Sequence, residues 1–395
     1  MPDAPQLHVL HVASGIDPRQ GGLTAAIAGV IAAQLQAGVK VSFVSTTGPN
    51  ADPAIADRLA RDGASVRTIG PCASILTWHR DIKPTLSSLI PGVNIVHIHG
   101  VWEEIQHRAA RISHALGKPY LFTPHGMLDS WSLSQQSLRK KLYMELRLRR
   151  NLNESRSIHC ASEIECEMLA PLKLKPPIIV EKPAINLSEF ANPPPRGAFR
   201  DRFSALRDKP MMLFLGRIHP AKGLELLLAA MKQMHSADTM LVIAGPDEDG
   251  YQAKLMDTVR ASGLAPRVIL TGMLHGVDRV AALADADLFV RPSFQESNSI
   301  AVVESLAAGT PVVISDQVSI HRQISENQLG AVVPNEASAL AWELTRWITD
   351  ETLRRDASQR AKTFVSGEFD ARLIALRWID HYRRIILSNK TGLPT

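Results

Sequence analysis

The sequence predicts an α/β protein built from two parallel-sheet domains. Three observations point there: short apolar runs alternate with helical stretches along most of its 395 residues; that length exceeds what one core usually supports; and a run of three prolines divides the alternation into halves. The expected strands are 7–13, 39–45, 64–69, 94–98, 119–123 and 156–160, then 211–216, 239–244, 267–271, 286–290 and 311–314. Strands separated by helices read as β-α-β units, whose strands run parallel. The division falls in ANPPPRGAFR, 191–200, where Pro193 to Pro195 can neither continue a helix nor donate to a ladder. The expected domains are therefore 1–190, a Pro-rich linker 191–209, a second domain 210–367, and a final segment 368–395 with Leu373, Leu376, Trp378, Ile379, Tyr382 and Ile385 near helical spacing.

Composition narrows the function classes. With 45% hydrophobic residues the chain is expected to be globular throughout, and a net charge of +5 is a modest excess for this size. Three cysteines, Cys72, Cys160 and Cys166, form neither a CxxC pair nor an even framework, which points to a reducing compartment. No run of about 18 apolar residues is present, so a membrane span is not expected. The chain enters strand pattern by Leu7 without a basic-then-apolar leader, and a cytoplasmic protein is expected.

Two stretches carry the chemistry. In FQESNSIAVVESLAAGTPVV (294–313), Ser297, Asn298 and Ser299 are candidate N-caps for a buried helix beginning near Ile300. The first N–H groups of a helix lack partners within it and carry partial positive charge, so a phosphate fits there. Glu304, about one turn in, suits the two hydroxyls of a ribose, and Glu296, before the cap, can reach a second ring. The plainer alternative makes Glu304 a capping or salt-bridging residue and Glu296 a solvated loop acid. In MMLFLGRIHPAKGLELLLAAM (211–231), a buried strand, a loop with Gly216 and a helix follow one another, with Arg217 and Lys222 flanking the loop. Arginine can fork onto phosphate oxygens and lysine acts as a point charge, so the pair suits a pyrophosphate. Otherwise Arg217 merely ends a strand and Lys222 is solvated.

Taken together and in this order, the two stretches resemble the retaining nucleotide-sugar glycosyltransferases of family 4, which have the GT-B fold: two Rossmann-like domains facing across a cleft. The resemblance extends to the first half, where Gly21 and Gly22 follow LHVLHVA, and where VNIVHIHG (93–100) and LFTPHGML (121–128) look like the family's histidine-bearing strands. It implies that Gly216, Arg217 and Lys222 bind the donor diphosphate, with Gly21, Gly22, Asn298, Ser299 and Ile300 beside it. It also implies that Glu296 holds the transferred sugar, Glu304 the ribose, and that His125 contacts the sugar or stabilises developing charge. Catalytic roles would fall to His125, Arg217, Lys222 and Glu296. The final helical segment would cross back to the first domain. Two departures stand out: Asn298 and Ser299 replace a pair that often contains glycine, and Pro183, Ala184, Ile185, Asn186 replace the usual interdomain motif.

The implied reaction is retaining hexosyl transfer from a nucleoside-diphosphate sugar, UDP or GDP, to a glycan or polyprenyl-diphosphate-linked acceptor, in cell-envelope or exopolysaccharide synthesis. The departing phosphate would take the acceptor's proton, so neither glutamate need be a covalent nucleophile. No cofactor and no metal are expected. His97 and His99 share a strand face and invite a zinc reading, but no Cys or Glu-x-x-His pattern completes a set. The pairs Asp247/Asp249 and Asp285/Asp287 look like loop and strand-start residues. The stretch 137–153 carries six Lys or Arg between Arg139 and Arg150 against one Glu145, with Leu138, Leu142 and Leu146 as an apolar stripe. Two readings stay open: the stripe is buried and the basic side meets a phospholipid or lipid-diphosphate at the inner face of a membrane, or the helix is an ordinary solvated one. Nucleic acid is not expected, since the basic residues lack interleaved aromatics. A sugar-nucleotide epimerase and a noncatalytic sugar-nucleotide binder are the competing functions.

Overall fold

The computed structural model describes residues 6–72, 76–129, 133, 137–236, 238–297 and 299–391. They form two compact units, one comprising residues 1–184 and 371–395, the other Ile185–Asp370. The first unit holds seven strands: β1 (His8–Ala13), β2 (Lys40–Thr46), β3 (Ser65–Ile69), β4 (Ile95–His99), β5 (Tyr120–Thr123), β6 (Ser157–Cys160) and β7 (Ile178–Val180). The second holds β8 (Met211–Leu215), β9 (Met240–Ala244), β10 (Val268–Gly272), β11 (Leu288–Arg291), β12 (Val312–Ser315) and β13 (Gly330–Val333).

Each sheet is parallel throughout, ordered β3-β2-β1-β4-β5-β6-β7 in the first unit and β10-β9-β8-β11-β12-β13 in the second. Strand runs such as MMLFL at β8 are apolar at every position because helices cover both faces of such a sheet. The strand order reverses between β1 and β4, and again between β8 and β11, and open α/β sheets take their ligands at the carboxyl side of such a reversal.

The α/β architecture expected from the sequence is present, with two strands added. β7 is three residues long at a sheet edge, and β13 opens on Gly330, which lies so close to the carbonyl of Val312 that a Cβ would stand 1.8 Å from it. β7 (IIV) is β-branched but too short to read as a strand, and β13 (GAVV) has a glycine and only two β-branched residues.

The triple-proline stretch packs as part of the second unit. Asp285 accepts hydrogen bonds from the amides of Gly197 (2.6 Å), Phe199 (2.8 Å) and Arg200 (3.1 Å), and Arg200 pairs with Asp287 at 2.7 Å. These two aspartates thus anchor a loop. The helix Ala371–Thr391 belongs to the first unit, where it packs along Gly22–Gln36 and buries Ile374, Trp378, Tyr382 and Ile385.

The segment from Ser137 to Asn153 is helical, with a wider π turn at Met144–Leu148. Its buried row is Met144, Leu148 and Leu152, not the leucine stripe that the first membrane reading buried; Leu138, Leu142 and Leu146 are 81%, 61% and 70% exposed. Both rows have the same spacing of four, so only packing separates them. Part of the basic face is neutralised by Arg147–Glu104, Arg149–Glu145 and Arg150–Glu154 pairs.

Candidate functional site

At the reversal point of the second sheet, β8 leads into Gly216 and Arg217, and a single 3-10 turn, Pro220–Lys222, precedes the helix Leu224–Gln233. His219 caps the turn by accepting from the amide of Ala221 at 3.1 Å. Gly223 closes it in the left-handed conformation, φ 72°, and a Cβ there would stand 1.9 Å from the carbonyl oxygen of Pro292. The turn therefore lies against the residues that follow β11. The amide of Phe294 donates to Ala221 O at 2.9 Å, which joins the two loops.

This arrangement brings together Lys222 and Glu296, 74 residues apart in sequence, at 2.7 Å. Arg291, the last residue of β11, lies beneath them. It is 3% exposed, stacked over Phe214 at 4.8 Å, bonded to the carbonyl of Leu215, and 3.9 Å from Glu296. Arg217 pairs with Glu248. Three cations thus meet two carboxylates, leaving a positive surplus in a largely buried place. Burial alone would raise the Glu296 carboxyl, but the charges of Lys222, Arg291 and Arg217 hold it below its ordinary value. Burial lowers Lys222 despite the opposing pull of Glu296.

Beside this cluster starts the helix Ile300–Ala308. Its N-cap is Ser299, whose carbonyl accepts from the amides of Val302 and Val303 while its hydroxyl is buried and has no hydrogen-bond partner among the described residues. Ile300 is buried as well, and Asn298 lies outside the described residues. Glu304 is buried and pairs with Arg279, which also pairs with Glu189. Burial still raises Glu304 above the ordinary carboxylate value, against the pull of Arg279. Glu304 therefore makes the salt bridge that its plainer sequence reading allowed.

Gly21, Gly22 and His125 lie in the first unit. Eight residues after β1 ends, Gly21, φ 73°, is the N-cap of the helix Gly22–Gln36. A cavity of about 500 Å³ nearby is lined by Ser14, Asp17, Arg19, Gln20, Thr46 and Asn50 among others. His125 follows β5 with φ 55° and approaches His99 with Nε2 at 3.0 Å from Nδ1. Among the described residues, His11, His97 and His99 bring ring nitrogens within 4.8 Å of one another, close enough for a metal ion. All six of those nitrogens already face hydrogen-bonding side chains, so an ion would have to break several bonds to enter.

Sequence reasoning missed Arg291, Glu248, Arg279 and His11. Arg291 was detectable as the one cation closing the apolar run LFVR; the other three depend on contacts across the fold.

Comparison with known proteins bears on the family and the fold. The model for Glycosyl transferases group 1 matches residues 196–364, and that for Glycosyltransferase Family 4 matches 20–189. An uncharacterized glycosyltransferase of Methanocaldococcus jannaschii is 30% identical over 187 residues, and the match spans 47% of this chain and 47% of that protein, about half its length. The GDP-mannose:cellobiosyl-diphosphopolyprenol alpha-mannosyltransferase of Xanthomonas campestris is 25% identical over 98% of this chain and 99% of its own. Among solved structures, Anabaena HepE in complex with UDP and glucose superposes with a TM-score of 0.79 at 17% identity, covering 96% of this chain and 100% of that one. At that identity the likeness speaks for the fold.

Proposed function

The chain belongs to the group 1 glycosyltransferases of family 4, with the GT-B fold, and on that premise we propose that it moves a hexosyl group from a UDP- or GDP-sugar to a glycan or polyprenyl-diphosphate-linked acceptor. The observation that carries this reading is the cluster of Arg217, Lys222 and Arg291 beside the Ser299 hydroxyl, which has no partner among the described residues, at a helix start. Breaking the anomeric C–O bond leaves negative charge on the diphosphate. Fixed positive groups aimed at that charge are each worth on the order of 3 kcal/mol, about a hundredfold in rate. Lys222 would exchange part of its pairing with Glu296 for phosphate, and Glu296 would turn to the sugar hydroxyls.

In this reading Gly216 serves the donor diphosphate by making room for the Arg291 guanidinium, Gly21 leaves room for the donor, Gly22, Asn298, Ser299 and Ile300 offer backbone or hydroxyl donors, Glu304 holds the ribose and His125 touches the transferred sugar. Transfer proceeds with retention, the leaving phosphate accepting the acceptor's proton, and the cations take the place of a metal. A relative named for transfer to a diphosphopolyprenol supports a lipid-linked acceptor, and a neighbour holding UDP supports that nucleotide. No helix among the described residues is long and apolar enough to cross a membrane. The exposed leucines 138, 142 and 146, flanked by exposed Arg139 and Lys141, support contact with the surface of an anionic membrane instead.

The test is a thermal-shift series with UDP, GDP and ADP and their sugar conjugates. At least one nucleoside diphosphate should raise Tm, and Lys222→Ala should abolish most of the rise. No rise with any of them would sink the proposal.

A further inference from the structure

Behind His125 runs an unbroken line of buried side chains. His125 Nε2 lies 3.0 Å from His99 Nδ1, and His99 Nε2 lies 2.8 Å from His11 Nδ1. His11 Nε2 is 2.9 Å from Gln34 Oε1, and Gln34 Nε2 is 3.0 Å from the Tyr382 hydroxyl. That hydroxyl is 2.7 Å from His97 Nδ1, and His97 Nε2 is 2.6 Å from Thr123 Oγ1. Thr123 Oγ1 is 2.9 Å from His159 Nδ1, and His159 Nε2 ends the line 2.8 Å from the backbone carbonyl of Glu181.

The far end sets the direction of every proton. A carbonyl oxygen can only accept, so His159 carries its proton on Nε2. A neutral ring then has a bare Nδ1, to which Thr123 must donate; Thr123, its one proton spent, must accept from His97 Nε2. The same step repeats: Tyr382 donates to His97 Nδ1, Gln34 donates to Tyr382, and His11 Nε2 donates to Gln34. His99 then donates to His11, and His125 to His99. Every link is satisfied with one proton, every ring bears it on Nε2, and all eight bonds point the same way. Burial keeps the rings neutral, lowering His11 and His159 to about 4, His125 to about 3, and His97 and His99 well below the usual value.

We infer that this line of side chains locks His125 in its Nε2–H tautomer, so that it presents a bare Nδ1 to the substrate and accepts a hydrogen bond from a sugar hydroxyl. It follows that His125 neither donates to developing negative charge nor acts as an imidazolium. Gln34, Tyr382 and Thr123 are positioning residues that act through the histidines. The substrate half of this inference rests on the proposed contact of His125 with the transferred sugar; the tautomer half does not.

The experiment is long-range 1H–15N NMR of the full chain labelled at histidine nitrogen, with rings assigned by single His→Gln substitutions. At neutral pH, His11, His97, His99, His125 and His159 should each show a protonated Nε2 and a bare Nδ1. A charged ring, or a proton on Nδ1 of His11, His99 or His125, overturns the lock. Adding UDP-glucose or GDP-mannose should shift His125 Nδ1 while leaving it unprotonated. Unaltered tautomers with an unmoved His125 Nδ1 under a saturating donor would overturn the sugar contact and leave the lock standing. Gln34→Leu should mix the tautomers of His11, His99 and His125, spare His97 and His159, and raise donor KM more than it lowers kcat; Tyr382→Phe, nearly isosteric, should give a weaker form of the same pattern. A Gln34→Leu protein whose His125 stays in one Nε2–H form overturns the relay.

Discussion

A Cβ placed on Gly216 would stand 2.6 Å from Nη1 of Arg291, so the glycine after one strand is the space that the guanidinium of a neighbouring strand occupies. Arg291 has little freedom to yield, being stacked over Phe214 and Phe289 and bonded to Leu215 O. Gly216→Ala should displace the guanidinium and weaken donor diphosphate binding by about tenfold, the loss expected for a charge-assisted contact. Titration calorimetry with UDP and GDP, beside Arg291→Met, checks this. Unchanged affinity in both variants would remove Arg291 from the donor site.

Glu296 and Lys222 separate the two parts of the donor. Glu296→Gln takes a carboxylate away from Lys222 and Arg291, so free nucleoside diphosphate should bind more tightly while sugar transfer falls by about a hundredfold. Lys222→Ala should weaken both. Binding and turnover measured on the same preparations would expose an inert Glu296.

The Ser299 hydroxyl is buried without a partner among the described residues, an arrangement that costs stability until a ligand fills it. Ser299→Ala should leave Tm unchanged or raise it slightly, and should reduce the thermal shift produced by a nucleoside diphosphate. A lowered Tm with an unaltered ligand shift would mark the hydroxyl as structural.

Four buried histidines, His11, His97, His99 and His159, with half-buried His125, make the first unit sensitive to acid. In the unfolded chain they take up protons near pH 6.5, whereas in the fold His11 and His159 wait until about 4. The unfolded state therefore binds more protons through that window, and stability present above it is lost as pH falls from about 6.5 towards 4. Each histidine contributes up to about 1.4 kcal/mol per pH unit. Urea unfolding followed across this range should show the midpoint falling steeply with acid, with uptake of more than one proton. A flat profile would mean that the rings are already charged.

The leucine stripe offers a separate test. Sedimentation with anionic vesicles should recover the protein, and Leu138, Leu142 and Leu146→Ser together should release it with little change in Tm, since all three are exposed. Retention of the triple variant would assign any binding to charge alone.

Most of the architecture was legible because parallel strands covered on both sides are uniformly apolar, and such runs stand out against the helices between them. Gly216, Arg217, Lys222, Glu296 and Glu304 could be named because each lies just after a strand or within about a turn of a helix start, where backbone pattern is strongest. What partners they have was not legible: nothing local to Arg279 indicates that it meets Glu304, or that Asp285 holds the amides of Gly197 to Arg200. The leucines of the 137–153 segment failed for a related reason. Two rows of equal spacing compete for the core, and hydrophobicity alone cannot choose between 138/142/146 and 144/148/152.

Because Ala371–Thr391 packs with residues far upstream, the first unit stays incomplete on the ribosome until this helix has been made, after the whole of the second unit. Until then Gln34 and His97 wait for Tyr382, while Ile185–Asp370, contiguous in sequence, has everything it needs to close. The order of maturation should therefore run opposite to the order of translation.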